Sequence, residues 1–212
     1  MNQQNRRLGV VMDPISSIKP VKDSTLAMLL EAQARGWEIR YMEQADLWVR
    51  DGHLRARTRG LAVRDDKTDW FDLDEAVPEP AGDLDVVLMR KDPPFDMEYI
   101  YTTYLLGRAE EAGCLVVNRS NSLRDVSEKA YTMWFAECCP PTLITRSMEE
   151  IRAFLADLGS IVVKPLDGMG GRSIFVVHAG DPNSNVIFET ITESGERFAM
   201  AQQYIKEISE GG

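Results

Sequence analysis

Leu8 to Met12 is an unbroken apolar run, Ser24 to Ala34 carries Leu26, Leu29 and Leu30 at helical spacing, and Glu38 to Met42 alternates as a strand. A strand, a helix stopped by Gly36 and a second strand, in that order, call for a crossover connection, and the two strands then run parallel. Asp85 to Met89 reads as a further buried strand, Tyr99 to Ala112 as a helix closed by Gly113, and Leu115 to Val117 as the next strand. The chain therefore opens with a small doubly wound, Rossmann-like α/β domain. Such sheets bind ligands beyond the carboxyl ends of their strands, where Asp13 and Arg90 both fall. A guanidinium there can grip a carboxylate with two hydrogen bonds and an aspartate can bind an amino group, although either could equally serve a structural salt bridge. Pro93-Pro94 stiffens the turn after Arg90.

Two stretches depart from that plan. Leu47-Trp48-Val49 and His53 to Ala56 flank Asp51-Gly52, a strong hairpin signal, and read as a β excursion from the α/β layer. Asp65 to Asp83 is acidic and proline-bearing with only Trp70 and Phe71 as anchors, which predicts a long surface connection.

A new section starts at Asn121 to Asp125, with Ser127 as cap of a helix from about Glu128 to Phe135 that Pro140-Pro141 breaks. Thr142 to Thr145 reads as a short strand, and Ser147-x-x-Glu150 as a capping box for a helix ending near Leu158-Gly159. Strands follow at Ile161 to Val163 and Ser173 to Val177, then at Val186 to Thr190 and Phe198 to Tyr204. Between the first two lies Lys164-Pro165-Leu166-Asp167-Gly168-Met169-Gly170-Gly171, a lysine at the end of an apolar run followed by a glycine-rich tip. Glycines let backbone N–H groups close round an anion, and a lysine at the mouth of a buried strand is costly without one. A plain hairpin tip would carry the same glycines. The Walker pattern does not fit, since Lys164 precedes the glycines, nor does the dinucleotide fingerprint, since Ser173 holds its last place and a strand follows. Lys129 taken alone is an ordinary surface lysine. Gln202-Gln203-Tyr204-Ile205 closes a strand with groups able to read and wall an adenine ring, or is simply an edge strand.

Composition narrows the function. With 44% hydrophobic and 27% charged residues the 212-residue chain can bury a real core, and its net charge of −10 argues against a general nucleic-acid binder. No run approaches the roughly 18 apolar residues of a membrane span, and residues 1–7 lack a signal-type apolar core, so a cytoplasmic protein is expected. Cys114, Cys138 and Cys139 lack zinc-ligand spacing and read as reduced packing residues; His53 and His178 are isolated and read as exposed polar residues.

Five blocks in order resemble prokaryotic glutathione synthetase of the ATP-grasp superfamily: Gly9-Val10-Val11-Met12-Asp13-Pro14, Ala27-Met28-Leu29-Leu30-Glu31-Ala32-Gln33, Asp85 to Asp96, Ser122-Leu123-Arg124-Asp125 with Glu128-Lys129, and Lys164 to Gly171. The resemblance covers essentially the whole chain and implies an N-terminal pre-ATP-grasp, substrate-binding domain over 1–122 and the first part of an ATP-grasp domain over 123–212. It implies an enzyme joining γ-glutamylcysteine to glycine with ATP and Mg2+ through an acyl phosphate, as a homo-oligomer, by resemblance a tetramer. It also implies that Lys129 and Lys164 contact ATP phosphates and that Asp167, Gly168, Met169, Gly170 and Gly171 fold over them. Gln202, Gln203, Tyr204 and Ile205 would form the adenine side, with Asp13 and Arg90 on the dipeptide side. Family members continue beyond the point matching Gly212 into the half that carries metal ligands and the glycine site, so the chain alone is expected to lack turnover. Another ATP-grasp carboxylate–amine ligase, or a non-catalytic nucleotide-binding module, are the alternatives.

Overall fold

The computed structural model describes residues 6–91, 94–167 and 173–210. The chain divides into two compact units, Met1–Asp125 and Val126–Gly212.

In the first unit, β1 (Arg7–Met12) lies between β2 (Glu38–Met42) and β7 (Val86–Arg90), parallel to both, and β8 (Leu115–Val117) extends the sheet parallel to β7. The central strand shows why the sheet is wound on both faces. Leu8, Val10 and Met12 pack with Leu26 and Leu29 of α1 (Ser24–Ala34), whereas Val11 packs with Leu106 and Ala109 of α2 (Met97–Glu111). Period-two alternation thus sends successive side chains into two separate cores. Asp23 caps α1 by accepting from the Leu26 N–H at 2.8 Å, and Asp96 caps α2 by accepting from the Tyr99 N–H at 2.9 Å. A short α3 (Ser120–Asp125) closes the unit.

The hairpin at Asp51-Gly52 forms as the sequence predicts, between β3 (Leu47–Arg50) and β4 (His53–Val63), with both turn residues at positive φ. The surface connection expected over 65–83 is instead partly a sheet edge: β5 (Phe71–Leu73) and β6 (Val77–Pro80) each pair antiparallel with β4. Both are short and largely exposed, and Pro78 and Pro80 are tolerable there because an edge strand can spare N–H donors. A polar latch adds to the pairing. The Glu79 carboxylate accepts from Arg7 Nη2 at 2.5 Å, from Arg40 Nε at 3.0 Å and from the Thr58 hydroxyl, with its side chain only 14% exposed. Burial alone would push this carboxyl up, but the three donors outweigh it and hold it below the usual range. Its contribution is therefore present above the ordinary value near 4.5 and disappears as pH falls through the lower folded-state value. Glu79→Gln should cost about 2 kcal/mol at neutral pH. Urea melts should show that deficit shrinking as pH drops below that ordinary value.

The second unit is a four-stranded antiparallel sheet in the order β11 (Phe175–His178), β10 (Ser160–Pro165), β12 (Ala199–Gln203), β9 (Thr142–Thr145). Two helices, α4 (Met148–Leu158) and α5 (Ser184–Thr192), supply Ile151, Leu155, Phe188 and Ile191 to a core with Ile161, Val163, Val177, Ala199 and Ala201. Ser147 caps α4 through its hydroxyl, and Gly159 ends it in the left-handed conformation at φ 75°.

Two sequence expectations fail here. Val186 to Thr190 is not a strand but the middle of α5. Its β-branched residues suggest a strand, yet Phe188, Ile191 and Thr192 bury together at helical spacing, and tertiary packing overrides propensity. The helix expected over 128–135 is a 3-10 segment, Ala130–Cys138, interrupted at Phe135. None of its residues is buried, so no apolar face stabilises a regular helix. Ser127 contributes its carbonyl to Tyr131 N, not a side-chain cap. Lys129 consequently precedes the 3-10 segment and does not sit inside a helix.

Candidate active site

Strand register in the second unit sorts the side chains into two faces. Leu143, Ala201, Val163 and Phe175 form one cross-strand row and all join the core under α4 and α5. One residue along, Ile144, Met200 and Lys164 form a row on the opposite face, and one residue in the other direction Thr142, Gln202, Val162 and Val176 form a second row on that same face. Lys164 thus stands on the face away from the helices because alternation along β10 places it between Val163 and Pro165. Gln202 shares that face, and its side-chain amide donates to the Thr142 hydroxyl at 2.9 Å. Gln203, next in β12, pairs with Ile161 and falls on the other side.

Electrostatics single out the lysines. The Lys164 ammonium is pushed below its ordinary value first by burial and next by the positive charge of Lys129, while Glu128 and the Cys139 thiol act in the other direction. The Lys129 side chain is 12% exposed, with Nζ 3.7 Å from Glu128. A part-buried Lys164 whose charge is disfavoured by burial and by a second cation is a group that a bound anion would relieve. A bound phosphate would restore Lys164 toward its ordinary value of 10.5, so just below that pH nucleotide binding should take up a proton. Calorimetry in buffers of different ionisation enthalpy would measure the uptake, which Lys164→Met should abolish.

Asp167, at the base of the glycine loop, is ion-paired with Arg197, which also reaches Glu193 at 2.8 Å. Gly168, Met169, Gly170 and Gly171 lie outside the described residues. At the far end of β10, Tyr204 N donates to Ser160 O at 3.1 Å, the Ser160 hydroxyl lies 2.9 Å from His178 Nδ1, and the His178 and Tyr204 rings meet edge-on with centroids 6.2 Å apart. His178, exposed as its sequence surroundings suggest, is held at the Tyr204 end of the sheet by these contacts. Ile205 is half exposed there.

In the first unit, Met12 and Arg90 are register partners at the carboxyl ends of β1 and β7. Arg90 reaches to the start of α1, donating from Nε to the Thr25 hydroxyl at 3.0 Å and from Nη2 to the Ser24 hydroxyl at 2.9 Å. Among the described residues no carboxylate pairs with it. One position further along each strand, alternation turns Asp13 and Lys91 the opposite way, where they ion-pair at 2.8 Å. They line a cavity of about 340 Å³ together with Glu43, Gln44 and Glu98. Asp13 and Arg90 thus share an edge but not a cavity. Lys91 and Glu43 were not singled out from the sequence; the alternation that separates Lys91 from Arg90 was the available signal.

A parallel, doubly wound unit followed in the chain by an antiparallel sheet with two helices on one face and Lys164 on the other has the architecture of the ATP-grasp fold. The structure titled "Crystal structure of RimK domain protein ATP-grasp from Sphaerobacter thermophilus" superposes with a TM-score of 0.59 at 21% identity, covering 94% of this chain and 64% of that one. The chain belongs to the prokaryotic glutathione synthetase family, whose N-terminal domain model matches residues 7–124 and whose ATP-grasp domain model matches residues 128–212. It is 58% identical to the glutathione synthetase of Yersinia pestis over 97% of this chain and 64% of that protein. It is 55% identical to the glutathione synthetase of Salmonella typhimurium over 97% of this chain and 65% of that protein. The chain therefore spans a little under two thirds of the length of these curated relatives.

Proposed function

We propose that this protein is a glutathione synthetase, an ATP-dependent ligase that joins γ-glutamylcysteine to glycine and releases glutathione, ADP and phosphate. The observation that carries this reading is the part-buried Lys164, whose charged form is disfavoured by burial and by the neighbouring Lys129 and would be favoured by a bound anion. In the proposed reaction the carboxylate of the cysteine moiety attacks the γ-phosphate, giving an acyl phosphate and ADP. The glycine amine then displaces phosphate. Lys129 and Lys164 hold and neutralise the phosphate oxygens, so their work is positioning and charge compensation. Asp167 and Gly168 to Gly171 cover the phosphates, and Gln202, Gln203, Tyr204 and Ile205 border the adenine. Residues 1–122 serve as the substrate-binding domain and 123–212 as part of the ATP-grasp domain.

On the dipeptide side, Arg90 offers a guanidinium held by hydroxyls, which leaves its charge for a carboxylate, and Asp13 offers a carboxylate to an amino group. Magnesium belongs to the proposed reaction, but among the described residues no group of three His, Cys, Asp or Glu side chains could hold a metal ion. Its ligands are assigned to the further length that the relatives possess, and no step here runs through the ion. Among the described residues no helix is long and apolar enough to cross a membrane. The proposal includes a cytoplasmic homo-tetramer.

The test is ADP release with γ-glutamylcysteine and glycine by a protein that joins this chain to the remaining length of its relatives. D-Alanine in place of both substrates is the control. Turnover that requires γ-glutamylcysteine supports the proposal, and turnover with D-alanine alone would replace it by the alternative ligase.

A further inference from the structure

The crossover connections of the first sheet fix where a ligand can sit. Along β2, β1, β7 and β8, the chain leaves β1 through α1 toward β2 and leaves β7 through α2 toward β8, so the two connections part between the ends of β1 and β7. In an open parallel sheet that parting is the crevice where ligands bind. Asp13 and Lys91, the first residues after β1 and β7, stand on its two sides, and the cavity of about 340 Å³ that they line lies there. Its size suits a small ligand or one end of a larger one.

Two of the polar wall residues are held from behind. The Tyr41 hydroxyl, on a fully buried ring, donates to Glu43 Oε1 at 2.7 Å, and the Glu43 N–H donates to Asp46 Oδ2 at 3.0 Å. Asp46 is itself paired with Arg59 at 3.0 Å, so its charge is compensated outside the cavity. The Gln44 amide donates to the Thr102 hydroxyl of α2 at 2.7 Å. Glu98, in the first turn of α2, completes the charged lining. Three carboxylates, Asp13, Glu43 and Glu98, thus face one ammonium, Lys91, which holds Asp13 at 2.8 Å. That balance disfavours a plain anion and favours a ligand that brings an ammonium. As the ammonium takes the place of Lys91 beside Asp13, Lys91 turns to a carboxylate of the same ligand. An α-amino acid head, with both charges on one carbon, meets both demands.

We propose that this cavity is the specificity pocket for the amino acid head of the substrate: Asp13 and Glu43 receive the α-ammonium of the γ-glutamyl group and Lys91 receives its α-carboxylate. That the head is a γ-glutamyl group rests on the proposed function; that the cavity takes an α-amino acid head does not. A peptide joined through the α-carboxyl has no carboxylate beside its ammonium, so the pocket separates γ-linked from α-linked glutamyl peptides. Arg90, turned to the other face, takes no part in that choice.

The experiment follows backbone amide resonances of the isotope-labelled 212-residue chain during titration with four peptides. They are γ-glutamylcysteine, its isomer α-glutamylcysteine, glutarylcysteine, which lacks the α-ammonium, and 4-aminobutyrylcysteine, which lacks the α-carboxylate. γ-Glutamylcysteine should shift the Asp13, Glu43 and Gln44 amides along a saturable curve, and each of the other three should bind at least about tenfold more weakly. Lys91→Met should weaken γ-glutamylcysteine by about tenfold or more while changing 4-aminobutyrylcysteine less than about twofold. Glu43→Gln, which keeps an acceptor for Tyr41, should show the same contrast between γ-glutamylcysteine and glutarylcysteine. Equal binding of the α- and γ-linked isomers, equal losses for all ligands in either variant, or no shift of these amides overturns the pocket. A variant that fails to fold in thermal melts leaves the decision to the wild-type series, which needs no substitution. In the protein extended to the length of its relatives, turnover of γ-glutamylcysteine without these shifts overturns the pocket and leaves the proposed function standing. Shifts without turnover do the reverse.

Discussion

Lys164→Met should weaken ATP binding by about 10- to 100-fold, the loss of a charge-assisted phosphate contact, while leaving the chain as stable as before or more so. The two expectations have one origin. A lysine whose charged form is disfavoured by burial and by Lys129 costs the folded state free energy whenever it is protonated. By linkage, stability rises with pH through the depressed value, and methionine, which keeps the stem and removes the charge, should abolish that cost and that slope. A lysine present for structure would behave oppositely, and its removal would lower the melting temperature. Calorimetry and thermal melts on one preparation separate the cases, with improved stability and poorer binding being the signature of a residue kept for function.

Phe188→Ala should destabilise the second unit by about 3–5 kcal/mol. Phe188 is fully buried at the centre of the core that α5 shares with β10 and β12, so its deletion leaves a cavity between helix and sheet. A domain of this kind has roughly 5–15 kcal/mol in total, so the variant should be partly unfolded at ordinary temperatures. Hydrogen exchange at the β10 and β12 amides is the direct reading: protection there should collapse, and protection in β1 and β7 provides the internal reference. Retained protection in β10 would contradict the packing of Phe188 between α5 and the sheet.

That same residue shows where sequence reading stops. Val186 to Thr190 has the β-branched content of a strand, and only the common burial of Phe188, Ile191 and Thr192 makes it a helix. Over 128–135 the reverse holds: helix formers and a possible cap are present, but without a surface to bury against they yield a 3-10 segment. The edge strands β5 and β6 escaped notice because acidic residues and prolines read as loop, while their stabilisation comes from pairing with β4 and from the distant donors of Glu79. By contrast β1, α1, β2, β7, α2 and β8 were legible, since each carries its own periodicity and stop signal.

The site follows the same division. Lys164, Asp13 and Arg90 could be found because a charged residue at the end of an apolar strand is conspicuous in one dimension. Lys129 joins Lys164 at the level of sequence only through the family resemblance, whereas the separation of Arg90 from Asp13 by strand alternation and the place of Lys91 and Glu43 in the cavity depend on three-dimensional register.

The claim on which the rest depends is that phosphate binds between Lys129 and Lys164. Titration calorimetry of the chain with ATP, repeated with Lys129→Met, Lys164→Met and the double variant, tests it most directly. The account predicts saturable one-to-one binding that ADP displaces, weakened in each single variant and lost in the double variant. Equal ATP affinity in the wild type and the double variant would contradict it.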